Sequence, residues 1–394
     1  KSYGKHQHPQ FPNVTTNSNG VEIATDSNAD ARAVFEGEVM QIQQIKGAFD
    51  PRNQLNPGKI ATPYELGAEL LKIDQVPLRG ELDRQIPLTN RDQFKDGMYC
   101  NGNGACFNFD PDDAMCPSWK GTRQRIHSPK GRASLMREWL RGMSNHDIDI
   151  AKERYKVRHS NPITSFFPRL KNTLRKRKGE YDFSHQVHES MMGCLACKSC
   201  VGQCPIKVDV PEFRAKFLEL YYSRYLRPVK DYFVGSLEYM TPILALFPKP
   251  YNWLIRNKVT NRLMSKVIGL EDSPALSDLN LKREMSRRGI RLATPLAIES
   301  LSPKDRKRAV IVIQDAFTSF FETQLVLDIM ELLSRLGFQA YLAPFMPNGK
   351  PLHVHGFLKP FEKAAKKNLD MLQNLAFYGI PMVGIDPSMT LTYR

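Results

Sequence analysis

The stretch that decides how this chain is interpreted is Cys194-Leu-Ala-Cys197-Lys-Ser-Cys200-Val-Gly-Gln-Cys204-Pro205. Its spacing, C-x2-C-x2-C-x3-C-P, is typical of thiolates that bind a [4Fe–4S] cluster. Three thiolates on one tight loop can reach three irons of a cubane, and the turn before the proline directs the fourth to a different cluster. A zinc site is the alternative, but three evenly spaced cysteines followed by C-P suit a tetrahedral ion poorly. The stretch therefore predicts an iron–sulfur centre.

A second group of cysteines lies upstream, in Cys100-Asn-Gly-Asn-Gly-Ala-Cys106 and Cys116-Pro117. When this group is aligned to the same template, Asn103 stands where the second cysteine should be. Nine residues replace the usual three between Cys106 and Cys116. The upstream group is therefore a related half-motif that lacks one ligand.

In two-cluster ferredoxins the cysteine before the proline binds the other cluster, and this rule divides the seven cysteines into two sites. The first site has four thiolates, from Cys116, Cys194, Cys197 and Cys200. The second has three, from Cys100, Cys106 and Cys204. We expect a [4Fe–4S] cluster at the first site. The second is open to a [3Fe–4S] cluster, a [4Fe–4S] cluster with a non-cysteine ligand, or no cluster, and its missing cysteine resembles the three-iron site of succinate-dehydrogenase-type subunits.

The composition is that of a globular protein: 394 residues, 41% hydrophobic and 25% charged, with a formal charge of +15. It excludes collagen, a heptad rod and a disordered polymer, and no apolar run is long enough to cross a bilayer. An odd number of cysteines, all between Cys100 and Cys204, does not fit a secreted disulfide framework. We expect a cytoplasmic piece of a longer protein, since the chain starts at Lys1 without an initiator methionine or signal peptide.

The first hundred residues carry few features that indicate a core. Residues 1–62 are expected to be an incomplete unit with an amphipathic helix from Ala31 to Phe49, which Asp50-Pro51 ends. Residues 63–98 are rich in proline and charge, and they are expected to be a linker.

The middle of the chain predicts a mostly α-helical domain over residues 99–231. Ser128 and Pro129 form a helix start, because serine caps the first amides and proline fits the first helical position. Asp209 and Glu212 form an acidic variant of the capping box before a second helix.

Residues 232–305 predict a helical connector. Its aromatic part, Tyr232 to Trp253, is interrupted by prolines and predicts short helices that supply core side chains. Residues 271–305 are a charged, linker-like stretch.

From residue 306 onward the pattern alternates between apolar strands and amphipathic helices. Strands are predicted at 309–313, 339–343 and 382–385, and helices at 319–336 and 361–377. This order implies a parallel sheet with right-handed crossovers. The fold class is therefore multidomain α+β: a mostly α-helical domain in the middle, followed by an incomplete α/β parallel-sheet domain over residues 306–394.

Basic side chains surround the cysteine motifs and either raise the potential of a bound cluster or form a solvated face. They are Lys120, Arg123, Arg125, His127, Lys130, Arg132 and Lys198. Taken alone, His127 is expected to make a helix-start hydrogen bond. His6 and His8 are expected to be surface residues.

Several segments together resemble a known family. They are CNGNGACFNF (residues 100–109), MCPSWK (115–120), RIHSPKGRASLMREWLR (125–141), GEYDFSH (179–185) and GCLACKSCVGQCPIKVDVPEFRAKFLELYY (193–222). They resemble the bacterial FAD-linked oxidase/4Fe–4S ferredoxin fusion proteins of the D-2-hydroxyglutarate dehydrogenase type. IKGAFDPRNQLNPGKI, residues 45–60, resembles the end of the oxidase C-terminal domain, and residues 306–394 resemble the start of the cysteine-rich CCG-type domain.

The resemblance implies an FAD-binding domain before Lys1 and oxidation of a D-2-hydroxyacid by hydride transfer to the flavin. Electrons would leave through the iron–sulfur segment to an acceptor, a quinone or a redox protein. Asn56 and Lys59 lie in the family's N-P-G-K turn and could approach the flavin, with a plain turn as the alternative. The CCG motif is missing, because no cysteine follows Cys204, and this chain alone is expected to be inactive.

Two other readings compete with electron transfer. The basic run from Arg169 to Lys178 makes nucleic-acid binding a candidate, but aromatic residues do not interleave with it. The same run could contact an acidic partner or an anionic lipid. The aromatic stretch from Tyr232 to Trp253, beside these charges, makes peripheral contact with the inner face of the cytoplasmic membrane an alternative to packing in the core. A structural iron–sulfur or zinc module is the other reading, although two linked motifs favour electron transfer.

Overall fold

The computed structural model describes residues 6–8, 11–17, 20–23, 42–59, 61–69, 79–161, 163–271 and 273–393. Contacts between residues divide the chain into two units, residues 1–82 and residues 83–394. Each unit is described by itself.

The first unit contains a three-stranded antiparallel sheet with the strand order β1-β2-β3. Its strands are β1 (His6–His8), β2 (Phe11–Asn17) and β3 (Gly20–Ile23). Residues 42–49 are helical, as the sequence predicts, and the earlier part of that predicted helix lies outside the described residues. The Asp50 carboxylate ends this helix by accepting hydrogen bonds from the amides of Gln54 and Leu55 at 2.9 and 2.8 Å.

Most of the described chain between residues 79 and 267 is helical, as the sequence predicts for the middle of the chain. The helices are α1 (Arg79–Arg84), α2 (Leu88–Gln93), α3 (Lys95–Met98), α4 (Pro117–Thr122), α5 (Pro129–Asn145), α6 (Ile150–His159), α7 (Phe166–Arg177), α8 (Ser184–Met192), α9 (Ser199–Gln203), α10 (Val210–Arg224), α11 (Val229–Gly235), α12 (Leu237–Leu244), α13 (Pro248–Arg256) and α14 (Lys258–Val267). Short 3-10 turns lie at Tyr64–Leu66, Ala105–Phe107 and Arg125–His127.

Both predicted helix starts are confirmed. The Ser128 hydroxyl accepts a hydrogen bond from the Gly131 amide at 2.9 Å, with Pro129 at the first helical position of α5. The Asp209 carboxylate accepts from the Glu212 amide at 3.0 Å at the start of α10. These caps satisfy amides that have no partner within the helix.

A core of aromatic side chains joins the helices. Phe94 packs edge-on against Trp139 with 5.7 Å between ring centroids, and Trp139 packs edge-on against Phe217 at 5.2 Å. Ile86 and Phe94 are fully buried in this core. Part of the stretch expected to be a linker therefore supplies core side chains, which its proline-rich and charged composition does not indicate.

The expectation that Tyr232 to Trp253 supplies core side chains is wrong for most of its large residues. Short helices do form there, but the side chains of Ile243, Phe247 and Trp253 are 66%, 70% and 66% exposed. Apolar composition predicted burial, but no described element packs over these side chains.

The last part of the chain contains a four-stranded parallel sheet with the order β4-β6-β5-β7. Its strands are β4 (Arg291–Leu292), β5 (Ala309–Ile313), β6 (Gln339–Leu342) and β7 (Met382–Gly384). The three predicted strands are confirmed. The fourth, β4, lies in the stretch read as a linker; it has only two residues, both exposed, and so carries no period-2 pattern.

Of the helices around this sheet, the sequence predicts two, at 319–336 and 361–377, and the second is confirmed. Three others, between residues 281 and 306, lie mostly in the stretch interpreted as linker-like. The helices around the sheet are α15 (Leu281–Arg288), α16 (Pro295–Glu299), α17 (Pro303–Arg306), α18 (Ala316–Phe320), α19 (Thr323–Arg335), α20 (Lys350–Val354), α21 (Leu358–Ala376) and α22 (Pro387–Thr390), with a 3-10 turn at Leu391–Tyr393. The helix predicted at 319–336 is in fact two helices, because Asp315 caps α18 through the amides of Phe317 and Thr318.

Helix α20 and the turn after it pack against α10. His353 Nε2 lies 3.0 Å from the Glu212 carboxylate, and Arg214 donates to the Val354 carbonyl. Gly356 has a φ of +69° and lies so close to α10 that a Cβ would stand 2.7 Å from the Leu218 Cβ. The α/β part is thus held against the helical part by close backbone contact and by the hydrogen bond between His353 and Glu212.

We expect Gly356→Ala to lower the free energy of unfolding by about 3 kcal/mol, because it adds steric overlap with α10 to an unfavourable left-handed backbone. Gly289→Ala is the matched control: its φ is +68°, but no heavy atom lies within 4 Å of the added Cβ. The control should cost only about 1 kcal/mol. Urea unfolding curves measure both, and equal losses would contradict the close packing.

The Glu212–His353 contact predicts a pH-dependent stability. The hydrogen bond from His353 lowers the pKa of Glu212 from 4.5 to about 2. A carboxyl group with a lowered pKa stabilises the fold above its unfolded pKa, and this contribution is lost as the pH falls towards the folded value. Glu212→Gln should therefore lower the urea midpoint at pH 7, and its difference from wild type should shrink between pH 4.5 and pH 2. A difference that is constant over this range would contradict the assignment.

Candidate iron–sulfur centre

Four cysteines line one small cavity in the helical part of the molecule. They are Cys116, Cys194, Cys197 and Cys200. The rest of the wall is mostly apolar, and it includes Pro117, Pro129, Val210 and Pro211, together with Arg132. Cys116 is distant in sequence from the other three, and the fold brings it to them.

The local backbone explains how three of these cysteines reach one cavity. Cys194 follows α8 directly, and Cys200 lies in α9. Between them, Ala196 and Lys198 have left-handed backbones with φ of 53° and 61°. Left-handed conformations are costly for residues with a side chain and concentrate at functional sites. The two unfavourable residues make the loop tight, as the motif requires.

Cys116 is held by the start of another helix. It directly precedes Pro117, the first residue of α4, and its Sγ lies 3.7 Å from the His127 carbonyl. This places Cys116 beside the first turn of α5. The separation of Cys106 from Cys116 by nine residues, a departure from the ferredoxin template, thus still allows Cys116 to reach the distant motif.

The other three cysteines are not brought into this cavity. Cys100 and Cys106 are buried in the same hydrophobic core, and Cys204 is half-buried at the end of α9. Asn103 is exposed, and its side chain forms hydrogen bonds within its own loop. Its Oδ1 accepts from the Ala105 amide, and its Nδ2 donates to the Asn101 Oδ1, both at 2.9 Å. The structure therefore gives the three-cysteine site no fourth ligand from Asn103.

Among the described residues, no three His, Cys, Asp or Glu side chains surround a point where one metal ion could be held. This finding concerns a single ion. A cubane is bound differently, with one thiolate on each of four irons.

Two buried arginines lie close to the cavity, and their positive charges indicate what kind of group the cavity can hold. Arg132 is 1% exposed; it donates to the Ser190 carbonyl and the Ser118 hydroxyl, each at 3.0 Å, and its Nη1 lies 3.8 Å from the Cys116 Sγ. Arg214, 3% exposed, donates to the Met191 carbonyl at 2.8 Å.

Within the described ranges, neither arginine forms an ion pair with a carboxylate. A buried cation without a counter-charge is costly, so the site calls for an anion beside Arg132 and Arg214. A [4Fe–4S] core with four thiolates carries a net negative charge, and the donor set fits it.

Burial favours the neutral form of two of the four thiols that line the cavity. Burial raises the pKa of Cys194, although Arg132 and Arg214 oppose this effect, and burial also raises the pKa of Cys200. Desolvation raises the pKa of Cys106 too. Metal ligation deprotonates such thiols and releases protons, so loading of this site should be favoured at higher pH.

Arg132 was one of the cations noted in the sequence, but Arg214 was not. Arg214 lies in a helix that also contains Glu212 and Lys216, and nothing in the sequence distinguishes it from these charged neighbours. Of the other noted cations, Lys120 and Lys130 bond to loop carbonyls, while Arg123 and Arg125 are exposed.

His127 does not make the side-chain hydrogen bond expected at a helix start, because Ser128 caps α5 instead. Its Nδ1 is buried, has no partner in the described part of the chain, and lies where a Cβ on Gly193 would approach to 2.7 Å. Burial, and then the charge of Arg132, lower the pKa of His127. Both effects favour the neutral form of the ring.

The turn that holds Asn56 and Lys59 lies in the first unit. Asn56 has a left-handed backbone with φ of 49°, and its carbonyl accepts from the Lys59 amide at 3.2 Å. Both side chains are exposed. This is the geometry of a tight turn.

A much larger cleft, of about 760 Å³, lies at the other end of the helices that form the cysteine cavity. Helices α5 and α8 run antiparallel between the two places: Arg132 binds the Ser190 carbonyl near the cysteines, and Trp139 Nε1 donates to the Ser184 hydroxyl, at 3.1 Å, beside the cleft. Seven residues of helix separate Arg132 from Trp139, a distance of about 10 Å.

A series of aromatic rings in contact with one another extends from the core to this cleft. Beyond Phe217, Tyr221 lies 5.7 Å away and Tyr225 a further 4.9 Å, centroid to centroid. The Tyr221 hydroxyl also accepts from Lys176 at 2.8 Å. Lys176 belongs to the basic run of α7, so part of that run packs against α10 rather than forming a free cationic surface.

The four-cysteine cavity with its unpaired arginines defines a candidate iron–sulfur protein. The chain is similar in sequence to several proteins named D-2-hydroxyglutarate dehydrogenase. The chain is 51% identical over 354 residues, 90% of its length, to D-2-hydroxyglutarate dehydrogenase of Pseudomonas putida. It is 47% identical over 369 residues, 93% of its length, to the protein of that name from Escherichia coli. The Haemophilus influenzae protein of the same name is 45% identical over 355 residues.

The chain covers 35%, 36% and 34% of these three relatives, about a third of each. No family model matches the chain, and no solved structure matches it significantly. None of the described helices is long and apolar enough to span a membrane.

Proposed function

We propose that this chain is the electron-transfer segment of an FAD- and iron–sulfur-dependent dehydrogenase that oxidises a D-2-hydroxyacid, D-2-hydroxyglutarate, to the 2-oxoacid. The observation that carries the proposal is the meeting of Cys116 with Cys194, Cys197 and Cys200 at one cavity beside two unpaired arginines. The names of the relatives support the substrate.

The four thiolates would hold the main cluster, a [4Fe–4S] centre. When bound, such a cluster takes up and releases one electron at a time. Arg132 lies against the Cys116 sulfur, and its charge would stabilise the more negative, reduced state of a bound cluster. The apolar wall, including Pro129 and Val210, keeps water from the site.

Cys100, Cys106 and Cys204 would supply the thiolates of a second centre, of the [3Fe–4S] or [4Fe–4S] type. The burial of Cys100 and Cys106 in the same core supports this assignment. Any further ligand has to come from a group other than Asn103, whose side chain is engaged in its own loop.

In a polypeptide as long as the relatives, the two-thirds that this chain does not cover would contain the FAD domain. In that protein the turn at Asn56 and Lys59 would face the flavin, and electrons would pass from the flavin through the clusters to a quinone or a redox protein. We also propose a cytoplasmic location, because clustered cysteines without a disulfide framework are typical of a reducing compartment.

The cross-ligation predicts that Cys116→Ser and Cys197→Ser damage the same cluster. Each variant should lose about half of the iron and sulfide of a two-cluster chain, and both should weaken the same electron paramagnetic resonance signal after dithionite reduction, because each removes one of four ligands. The measurement is iron and sulfide analysis with that spectrum on anaerobically purified protein.

Cys204→Ser is the matched comparison, since it changes a cysteine of the same motif that lies outside the cavity. It should leave the main signal intact. If Cys116→Ser altered only the signal that Cys204→Ser alters, the assignment of Cys116 would be wrong; zinc without sulfide in the wild type would overturn the redox function itself.

The large cleft is where we propose that electrons leave the chain. Three features support this: its distance of about 10 Å from the cysteine cavity along one helix, the aromatic rings between the two places, and a size suited to a small aromatic acceptor.

Gly142 allows a test, because it lines the cleft and a Cβ there meets no heavy atom within 4 Å. Gly142→Trp should fill the cleft and slow electron transfer from the reduced chain to a short-chain benzoquinone about tenfold, equivalent to about 1.4 kcal/mol of lost binding. Stopped-flow absorbance measures this rate. Gly142→Ala is the control and should match wild type; equal rates in all three proteins would place the exit elsewhere.

A further inference from the structure

We propose that helices α13 and α14 form a docking surface for an anionic lipid bilayer, so that the chain is a peripheral membrane protein. The proposal does not rest on the cysteine site. It rests on the exposed side chains of residues 246–267, whose apolar and basic members are arranged in stripes.

Helix α14 presents two adjacent stripes on one face. Its exposed aliphatic residues are Val259, Leu263 and Val267, at 77%, 60% and 68% exposure. Its exposed cations are Lys258, Arg262 and Lys266. Each set has a spacing of four residues, and the sets are offset by one, so both lie along the same side of the helix.

Helix α13 packs against α14 and also exposes apolar and basic side chains. Trp253 is 66% exposed and Leu254 39%, and Phe247, just before the helix, is 70% exposed. Lys249 and Arg256 are exposed beside them. Exposed aromatic and aliphatic residues next to lysine and arginine characterise helices that lie in the plane of a membrane interface.

The charge of this surface selects an anionic partner. From residue 239 to residue 270 the sequence has five cations and no acidic residue. In the described part of the chain, none of the five forms an ion pair. The preceding acid, Glu238, is 1% exposed and accepts hydrogen bonds from the amides of Asn348 and Gly349. No negative charge on these helices therefore offsets the cations.

A bilayer explains this combination better than a protein partner. The buried centre of a protein interface is depleted of lysine, because its charge would be desolvated. At a bilayer surface the same lysines stay hydrated and meet lipid phosphates while their apolar neighbours enter the headgroup region.

Trp253 provides a direct readout. The chain has three tryptophans, and the other two, Trp119 and Trp139, are 9% and 5% exposed. Acrylamide quenching of tryptophan fluorescence therefore reports mainly on Trp253. Phosphatidylcholine vesicles containing about one-third phosphatidylglycerol should protect it, pure phosphatidylcholine vesicles should not, and high salt should remove the protection.

Two triple variants separate this surface from general basicity. Lys258→Gln/Arg262→Gln/Lys266→Gln removes the cationic stripe, and flotation with the phosphatidylglycerol vesicles should weaken at least about tenfold. Lys363→Gln/Lys366→Gln/Lys367→Gln makes the same charge change on exposed positions of α21 and should bind like wild type. Leu263→Ser should also weaken binding without changing the charge.

Equal loss in both triple variants would overturn the proposal, since binding would then depend on net charge alone. Concentration-dependent dimers with no vesicle binding would assign the surface to a second copy of the chain. Protection of Trp253 without vesicles in a longer polypeptide would assign it to the rest of that protein. Either result would contradict the bilayer as the partner.

Discussion

The buried guanidinium of Arg132 holds together the segments from which the candidate site is built. One side chain from α5 reaches the Cys116 sulfur, the Ser118 hydroxyl and the carbonyl of Ser190 at the end of α8. A buried cation is stable only when donors and charge are satisfied. The hydrogen bonds are supplied by the fold, and in the proposed function the thiolates of a bound cluster would supply the counter-charge. Folding of this region and loading of the site are therefore expected to be coupled.

The same helices connect the cysteine cavity at one end with the large cleft at the other. Arg132 and Trp139 lie at the two ends of one stretch of α5, and Arg214 and Tyr221 bear the same relation on α10. Both arginines face the cysteines, and both aromatic residues border the large cleft. A packed aromatic core between the two places excludes water and keeps the distance fixed. These are the properties required of a segment that carries electrons between two partners.

The α/β part has a different relation to the site. It contributes no cysteine, but its helix α20 packs on α10, and Lys350 lines a small cavity together with Lys198 next to the cysteine loop. The chain covers about a third of its relatives, and here the four-stranded sheet serves as a support for α10 through Gly356 and the Glu212–His353 contact. The exposed surface of α13 and α14 lies on helices between the cysteine-bearing helices and the sheet in sequence.

The sequence by itself determined the local features: the cysteine spacing, the caps at Ser128 and Asp209, and the three apolar strands that alternate with amphipathic helices. Each of these features depends on steric contacts and hydrogen bonds between residues a few positions apart, and such short-range interactions can be predicted from the sequence. Only the tertiary structure decided that Arg214 faces Cys194, that Ile86 and Phe94 join the core, and that Trp253 stays exposed. Burial depends on which distant segments pack together, and apolar composition alone does not specify that.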